Sequence, residues 1–210
     1  MKTKKPRVGV MGGTFDPIHY GHLVTAEGAR CEYDLDHVLF LPSRPPHKDL
    51  KKVTCAEHRY MMTVLATLTN PYFEVSRIDI DRKGASYTVD TLQILREKYG
   101  TETELFFITG ADAVFEIIDW KDSEQLLKLA HFIAASRPGF SFEELPAESR
   151  AWINAHEDRF HILQIPAMAI SSTSIRERVR AGLSVRYLVP EQVDYYIRRH
   201  LLYGQSRTLI

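Results

Sequence analysis

Near the start of the chain, one short stretch combines residue types that suit a polyanionic ligand. GGTFDPIHYGH, residues 12–22, places Gly12 and Gly13 directly after a short apolar run. Glycines after a strand let backbone N–H groups approach an anion closely. His19 and His22 begin a helical pattern, where two imidazole donors and the positive end of the helix dipole can act on one anion. The stretch therefore predicts a phosphate-binding corner.

Other interpretations of this stretch stay open at the level of its residues. The loop is neither the GxxxxGK[ST] of a P-loop nor GxGxxG. Two histidines could bind a metal, but the nearby carboxylate of Asp16 precedes Pro17 on a bending loop, and no third ligand follows at helical spacing. We therefore predict no dedicated metal site. A neutral imidazole also donates a hydrogen bond, so the sequence leaves the protonation state of His19 and His22 undecided.

A second anion-binding pattern lies near the other end of the chain. In ISSTSIR, residues 170–176, clustered hydroxyls and one arginine precede a helical run. Hydroxyls, backbone N–H groups and a guanidinium at a helix N-terminus suit phosphate. Ser174 and Glu177 also fit a capping box, which needs no ligand. A cap alone does not require the three hydroxyls of Ser171, Ser172 and Thr173.

Regular elements must bring these two segments together. Short β-rich runs alternate with helical patterns, which predicts an α/β domain with a doubly wound parallel sheet. The predicted strands are Val8–Met11, Val38–Leu41, Phe73–Val75, Leu105–Thr109, Phe132–Ala135 and His161–Gln164. The predicted helices are Leu23–Tyr33, Ala56–Leu68, Val89–Tyr99, Ser123–Leu129, Phe142–His156, Ser174–Ala181 and Pro190–Leu201. Such sheets bind ligands beyond the carboxyl ends of their strands, where both segments fall.

Composition limits the class of protein. With 27 basic and 27 acidic residues the chain has no net charge, so we expect no nucleic-acid partner. Cys31 and Cys55 form no CxxC pair and are expected to be reduced thiols. The basic leader is followed by an apolar run too short for a signal peptide or a membrane span. We expect a cytoplasmic, single-domain protein over residues 1–210, with a small helical cap at about 174–210 and no membrane partner.

These segments carry a resemblance to a known family. GGTFDPIHYGH and ISSTSIR resemble the HxGH nucleotidyltransferase superfamily related to class I aminoacyl-tRNA synthetases, which implies a Rossmann-like fold. SYTVDTL (86–92), GADAV (110–114) and Trp120 resemble bacterial nicotinate mononucleotide adenylyltransferases. The likeness runs from about Val8 to Leu201 and is weak across 141–160. It implies adenylyl transfer from ATP, accompanied by Mg2+, to nicotinate mononucleotide in NAD biosynthesis.

The same resemblance implies roles for individual residues. It assigns catalysis to His19, His22 and Arg176. It assigns ATP binding to Gly12, Gly13, Thr14, Phe15, His19, His22, Gly110, Asp112, Ser171, Ser172, Thr173 and Arg176. It assigns mononucleotide binding to Lys48, Thr88, Trp120, Lys121 and Arg137, with His47 beside Lys48.

The residues assigned to binding the acceptor have the most alternative interpretations. In the family the pyridine ring stacks on the tryptophan, and its carboxylate is held by the threonine and a backbone N–H after the tryptophan. Here these are Trp120, Thr88 and Lys121, although family members often carry an aromatic residue at the last position. Thr88 could instead cap a helix, and Trp120 could be an ordinary half-buried aromatic.

Three other classes of protein compete with this interpretation. A sibling transferase would use phosphopantetheine or glycerol phosphate as acceptor, but such relatives lack the SYTxDT segment combined with the tryptophan. A non-catalytic ATP-binding module does not demand two histidine donors. A tRNA synthetase fragment would need a basic surplus that this chain lacks. The sequence leaves the oligomeric state open.

Overall fold

A computed structural model of the chain describes residues 5–44, 52–110, 117, 120–136, 145–166 and 168–204. The strands are β1 (Arg7–Gly13), β2 (His37–Pro42), β3 (Phe73–Val75), β4 (Glu104–Gly110), β5 (His131–Ser136) and β6 (Phe160–Gln164). The helices are α1 (Tyr20–Glu32), α2 (Ala56–Thr67), α3 (Ile78–Asp81), α4 (Thr88–Tyr99), α5 (Ser123–Leu129), α6 (Ala147–Ala155), α7 (Ser172–Arg180) and α8 (Glu191–Arg199). A 3-10 turn at Leu202–Gly204 follows α8.

The six strands form one parallel sheet in the order β3-β2-β1-β4-β5-β6. The central strand β1 pairs with β2 on one side and with β4 on the other, and Val10 is in register with Leu39 and Phe107. The chain reverses its direction of winding between β1 and β4. This order is the doubly wound arrangement whose ligand crevice opens beyond the carboxyl ends of the strands at the point of reversal. The predicted α/β fold is confirmed.

The strands bury side chains on both faces, because helices cover both sides of the sheet. Along β1 the alternation separates Val8 and Val10 from Met11. Val8 and Val10 pack with Leu92 of α4 on one face, whereas Met11 packs with Ala26 of α1 on the other. The Gly12–Gly13 end of β1 therefore emerges between two packed layers, which hold the following loop in place.

The elements differ from the sequence predictions mainly at their ends. Helix α1 begins at Tyr20 rather than Leu23, and the short helix α3 was not predicted. The predicted helix Phe142–His156 is wrong in its described first part: Leu145 and Pro146 are not helical, and α6 begins at Ala147. A residue before proline is disfavoured in the α conformation, which explains the later start. Residues 142–144 lie outside the described residues.

The C-terminal segment continues the main core. Val185, Val189, Val193 and Ile197 are buried in the same apolar cluster as Ile18, which precedes α1. The division into a domain and a cap at about residue 174 stays a prediction. Among the described residues, no helix has the length and apolar character that crossing a bilayer requires.

Candidate active site

The glycine loop after β1 is shaped by the side chain of Phe15. Phe15 adopts a positive φ of 48°, and its ring is buried against the loop. A Cβ atom on Gly13 would lie 2.8 Å from the Phe15 ring, closer than such contacts allow. Gly12 faces the ring of Phe107 on β4, which a Cβ would meet at 3.4 Å. Gly13 is therefore required by the Phe15 ring, whereas at Gly12 a Cβ would only touch the Phe107 ring.

The two histidines lie together at the start of α1. His19 is the N-cap residue, and its backbone N–H donates to Nδ1 of His22 at 3.2 Å. The two imidazole rings are stacked with centroids 3.7 Å apart. A Cβ on Gly21 would lie 3.0 Å from Cε1 and Nδ1 of His19. The glycine of HYGH thus makes room for the ring of the first histidine, which is buried, whereas His22 stays partly exposed.

The hydrogen bond to the cap determines the tautomer of His22. Because a backbone N–H can only donate, Nδ1 must be the acceptor, and the proton of the neutral ring is on Nε2. Burial, and then the charge of His19, hold the pKa of His22 well below its ordinary value. His22 is therefore a neutral ring near pH 7 that donates from Nε2. The structure decides a protonation state that the sequence left open.

The second anion-binding segment meets the first at the loop before α1. Ser172 Oγ donates to the carbonyl of Pro17 at 2.9 Å. Arg176 Nη1 donates to the carbonyl of Asp16 at 2.8 Å, and Nη2 donates to Thr173 Oγ1 at 3.1 Å. Segments near opposite ends of the chain are thus joined at the loop before α1.

The helix cap of this segment differs from the capping-box alternative. Helix α7 begins at Ser172, and its N-cap is Ser171, whose Oγ accepts from the backbone N–H of Ser174 at 3.1 Å. The Ser174–Glu177 capping box is therefore wrong, because Ser174 already lies inside the first turn. Ser171 and Thr173 are exposed at the helix N-terminus, where the dipole favours negative charge.

Arg59 is a structural part of the site that our sequence analysis missed. Its side chain is only 2% exposed. Nη1 donates to the carbonyls of Thr14 at 2.6 Å and Ser43 at 2.9 Å, and Nε donates to the carbonyl of Thr54 at 2.9 Å. Burial is the main reason that the pKa of Arg59 is lowered, although Asp16 opposes the shift. Arg59 thus connects the loop after β1 with the loop after β2 through their backbone carbonyls.

A signal for Arg59 was present in the sequence. The buried positions of α2 are Arg59, Met62, Thr63, Ala66 and Thr67, and the first four have the spacing i, i+3, i+4 and i+7. A cation on the buried stripe of a helix must find polar partners, since an unpaired buried charge is strongly unfavourable. Its position on that stripe therefore predicts a buried polar network, but not the identity of its partners.

Asp16 is buried, and both of its carboxylate oxygens accept hydrogen bonds within the protein. The backbone N–H of Thr54 donates to Oδ2 at 3.1 Å, and the Tyr203 hydroxyl donates to Oδ1 at 2.8 Å. Within the part of the chain that the structure describes, no three or more His, Cys, Asp or Glu side chains are arranged to hold a metal ion.

Of the residues assigned to the mononucleotide, the structure describes Thr88, Trp120 and Lys121. Trp120 packs at a right angle to Phe107, with ring centroids 6.0 Å apart, and Phe107 also faces Gly12. Thr88 is the first residue of α4, and Gly110 ends β4. Lys121 reaches the first turn of α4, since its Nζ lies 3.0 Å from Asp90 Oδ1. The structure thus brings Trp120 close to the segment that contains Thr88.

Other assigned residues are not part of the described structure. Lys48, with its neighbour His47, Asp112 and Arg137 lie outside the described residues. Their roles stay predictions.

The fold and the site together define a class. A doubly wound parallel sheet, with a glycine loop, two stacked histidines and a hydroxyl-rich helix start at its reversal point, is the arrangement of a nucleotide-binding α/β enzyme.

Comparison with known proteins narrows this class to a family. The cytidylyltransferase-like family matches residues 10–178. A protein of Moorella thermoacetica named "Probable nicotinate-nucleotide adenylyltransferase" is 58% identical over 203 residues, which are 96% of this chain and 93% of the relative. A protein of the same name from a Thermoanaerobacter species is 52% identical over 201 residues, which are 95% of each chain.

A solved structure agrees at the level of the fold. Plasmodium falciparum nicotinic acid mononucleotide adenylyltransferase, complexed with NaAD, superposes with a TM-score of 0.73 at 20% identity, covering 94% of this chain and 97% of that one. The chain belongs to the nicotinate-nucleotide adenylyltransferases, nucleotidyltransferases of the cytidylyltransferase-like family.

Proposed function

We propose that this protein transfers the adenylyl group of ATP to the phosphate of nicotinate mononucleotide. A phosphate oxygen of the mononucleotide forms a bond to the α-phosphorus of ATP, the bond between that phosphorus and the bridging oxygen to the β-phosphate breaks, and pyrophosphate leaves. The product is nicotinate adenine dinucleotide, an intermediate of NAD biosynthesis. The single observation that carries the proposal is that the Ser171–Arg176 segment is hydrogen-bonded to the loop that leads into the two histidines. The contacts are those of Ser172 and Arg176 with the carbonyls of Pro17 and Asp16.

The chemistry requires alignment more than activation. A phosphate monoester is already an anion near neutral pH, so the attack needs no general base. The enzyme has to align two anionic groups and stabilise the charge that develops between them. His22, as a neutral ring with the proton on Nε2, supplies a donor directed at the α-phosphate. A neutral donor avoids the cost of a buried imidazolium beside the positive end of a helix dipole.

Neighbouring groups orient the triphosphate. In this proposal, His19 and the Thr14–Phe15 backbone position the α-phosphate, with Gly12 and Gly13 leaving room for it. Arg176, half-buried, holds the outgoing pyrophosphate together with the exposed hydroxyls of Ser171 and Thr173. Because the Ser172 hydroxyl donates to Pro17, its contribution is to hold the loop in place.

The remaining ATP contacts are proposed from the resemblance. Gly110 and Asp112 bind the adenosine ribose. Asp112 lies outside the described residues, whereas Gly110 ends the strand next to β1.

The acceptor site is built around Trp120. A pyridine ring stacks on the indole face, and Thr88 with the backbone N–H of Lys121 binds its carboxylate. The Lys121 side chain pairs with Asp90 and lies over the ring of Tyr87, so it tightens the junction between the two segments. We also propose that the cationic side chains of Lys48 and Arg137 bind phosphate groups of the substrates.

Magnesium is proposed to enter with ATP. Asp16, three residues before His19 in the sequence, already accepts hydrogen bonds on both carboxylate oxygens, so the described side chains would suit a metal that is held by ATP itself. When bound with ATP, Mg2+ would neutralise negative charge on the phosphates. The cytoplasmic location expected from the sequence stays a prediction.

The proposal is tested by assaying ATP with each candidate acceptor. Nicotinate mononucleotide, its amide, phosphopantetheine and glycerol phosphate are each incubated with ATP and Mg2+, and both pyrophosphate and the adenylylated product are measured. We expect dinucleotide and pyrophosphate in equal amounts with the pyridine mononucleotides, and more with the acid. Preference for a different acceptor would show that nicotinate mononucleotide is not the substrate. ATP binding without pyrophosphate release would refute the proposed transferase activity.

A further inference from the structure

The C-terminal turn of the chain reaches back to the loop that carries the site. The hydroxyl of Tyr203, in the 3-10 turn after α8, donates to Oδ1 of Asp16 at 2.8 Å. The two residues are 187 positions apart in sequence. The phenol is half-buried, and burial, followed by the charge of Asp16, raises its pKa, so the hydroxyl keeps its proton and remains a donor near neutral pH.

Two residues of this turn have an unfavourable backbone conformation. Leu201 has a φ of 51° and Tyr203 a φ of 65°, in the left-handed region that disfavours residues with a Cβ. Such conformations persist only where surrounding contacts outweigh their strain, and they concentrate near functional sites. Here the compensating contacts are burial of Leu202 and the hydrogen bond to Asp16.

Asp16 connects the turn to the groups that face ATP in the proposed function. Its backbone carbonyl accepts from Arg176, and its other carboxylate oxygen accepts from the N–H of Thr54. It directly follows Phe15, whose positive φ fixes the direction of the loop backbone. The carboxylate is therefore held from two sides, and releasing one side allows the loop to rotate about its remaining contacts.

We propose that Tyr203 is a positioning residue for adenylyl transfer, which acts through Asp16 to hold the Thr14–Phe15 backbone in the orientation that ATP requires. The inference rests on the proposed function. In this role Tyr203 acts through Asp16 and not by contact with substrate. It makes the last turn of the described chain part of the active-site architecture.

The test compares two tyrosine hydroxyls on the same segment. Tyr203→Phe removes the bond to Asp16, while Tyr196→Phe removes a bond to Nδ1 of His58 on α2, 3.0 Å away, which does not involve the loop. For Tyr203→Phe we expect kcat/KM for ATP to fall about tenfold, the scale of one hydrogen bond to a charged group. KM for the mononucleotide should stay within about twofold, and Tyr196→Phe should match the wild type within about twofold in both parameters.

Three further measurements separate positioning from stability and from the reaction itself. Thermal melts fix an assay temperature at which every variant is folded. A double-mutant cycle with Asp16→Ala should show that Tyr203→Phe adds little once the carboxylate is gone, because the hydrogen bond between the two side chains is then already absent. ATP affinity, measured without acceptor, should weaken about tenfold in Tyr203→Phe, a readout that needs no turnover.

The outcomes are distinct. A lower melting temperature with unchanged kinetics and ATP affinity, or equal kinetic losses in both tyrosine variants, would overturn the positioning role. The wild-type protein could bind ATP about tenfold more tightly than Tyr203→Phe and yet form no dinucleotide. That result would refute the proposed function while supporting the role of Tyr203 in ATP binding. Wild-type protein that does not bind ATP would overturn both.

Discussion

Substitution of His22 by alanine tests the central donor of the proposed mechanism. The change removes the Nε2 proton that the proposed mechanism directs at the α-phosphate, and it also removes Nδ1, the acceptor for the N-cap amide of His19 at 3.2 Å. Loss of one preorganised donor of this kind costs ~2.7–4 kcal/mol of transition-state stabilisation, or ~10²–10³ in turnover. Loss of the cap acceptor costs a further ~0.5–1.5 kcal/mol, which appears in folding stability and not in the chemical step.

A second variant separates these two effects. In His22→Gln, the side-chain carbonyl can accept from the cap amide, as glutamine does at this position of a capping box. We therefore expect the melting temperature to recover toward the wild-type value. Turnover should lie between those of wild type and His22→Ala. The glutamine amide is also a neutral hydrogen-bond donor, but it reaches less far toward the phosphate than Nε2 of histidine.

The assay follows pyrophosphate release with saturating ATP and nicotinate mononucleotide, at temperatures at which all variants are folded. Because the pKa of His22 is held low, its neutral form is the active one, and wild-type turnover should not decline between about pH 6.5 and 8.5. Turnover of His22→Ala within a few-fold of wild type would remove His22 from the mechanism. A decline across that pH range in wild type that disappears in His22→Gln would show that an imidazolium, rather than a neutral ring, is required.

Three further perturbations test other parts of the structure. Trp120→Ala should raise KM for the mononucleotide by about tenfold or more, since stacking on one aromatic ring is worth ~1–3 kcal/mol, with KM for ATP nearly unchanged; equal effects on both substrates would contradict stacking. Gly21→Ala places a Cβ 3.0 Å from the His19 ring and should lower turnover by up to ~10²-fold, whereas Gly28→Ala on the same helix, with its nearest neighbour at 3.6 Å, should not. Burial, and then a neighbouring arginine, lower the pKa of His131 in the folded state. As the pH falls below ~6.5 the unfolded chain therefore takes up this proton first, and the free energy of unfolding should decrease; denaturant titrations should show a smaller decrease in His131→Asn, and an identical slope would refute the assignment.

Much of the fold was accessible from local patterns. The strands were predicted in order because short β-rich runs have a different periodicity from the helices between them, and the order of alternation implies a parallel sheet. Helix ends were less well predicted, as at Pro146, because capping depends on a few residues rather than on a periodic signal. The short helix α3 lacked enough turns to show any period.

The candidate site was predicted in its parts and not in its connections. The segments around His19 and Ser171 carry recognisable chemistry, so their residue types pointed to phosphate without coordinates. Arg59 and Tyr203 were missed, because each acts through partners that are remote in sequence. Their roles arise from contacts between elements, which no local spacing encodes.

By itself, the sequence determined the order of strands and helices, the two anion-binding segments and the resemblance to a nucleotidyltransferase, since each is written in neighbouring residues. Only the tertiary structure decided that Arg176 meets the Asp16 carbonyl, that burial holds the pKa of His22 low, and that the last described turn holds Asp16. The physical reason is that hydrogen-bond partners and burial set these states, and both exist only once distant segments have packed together.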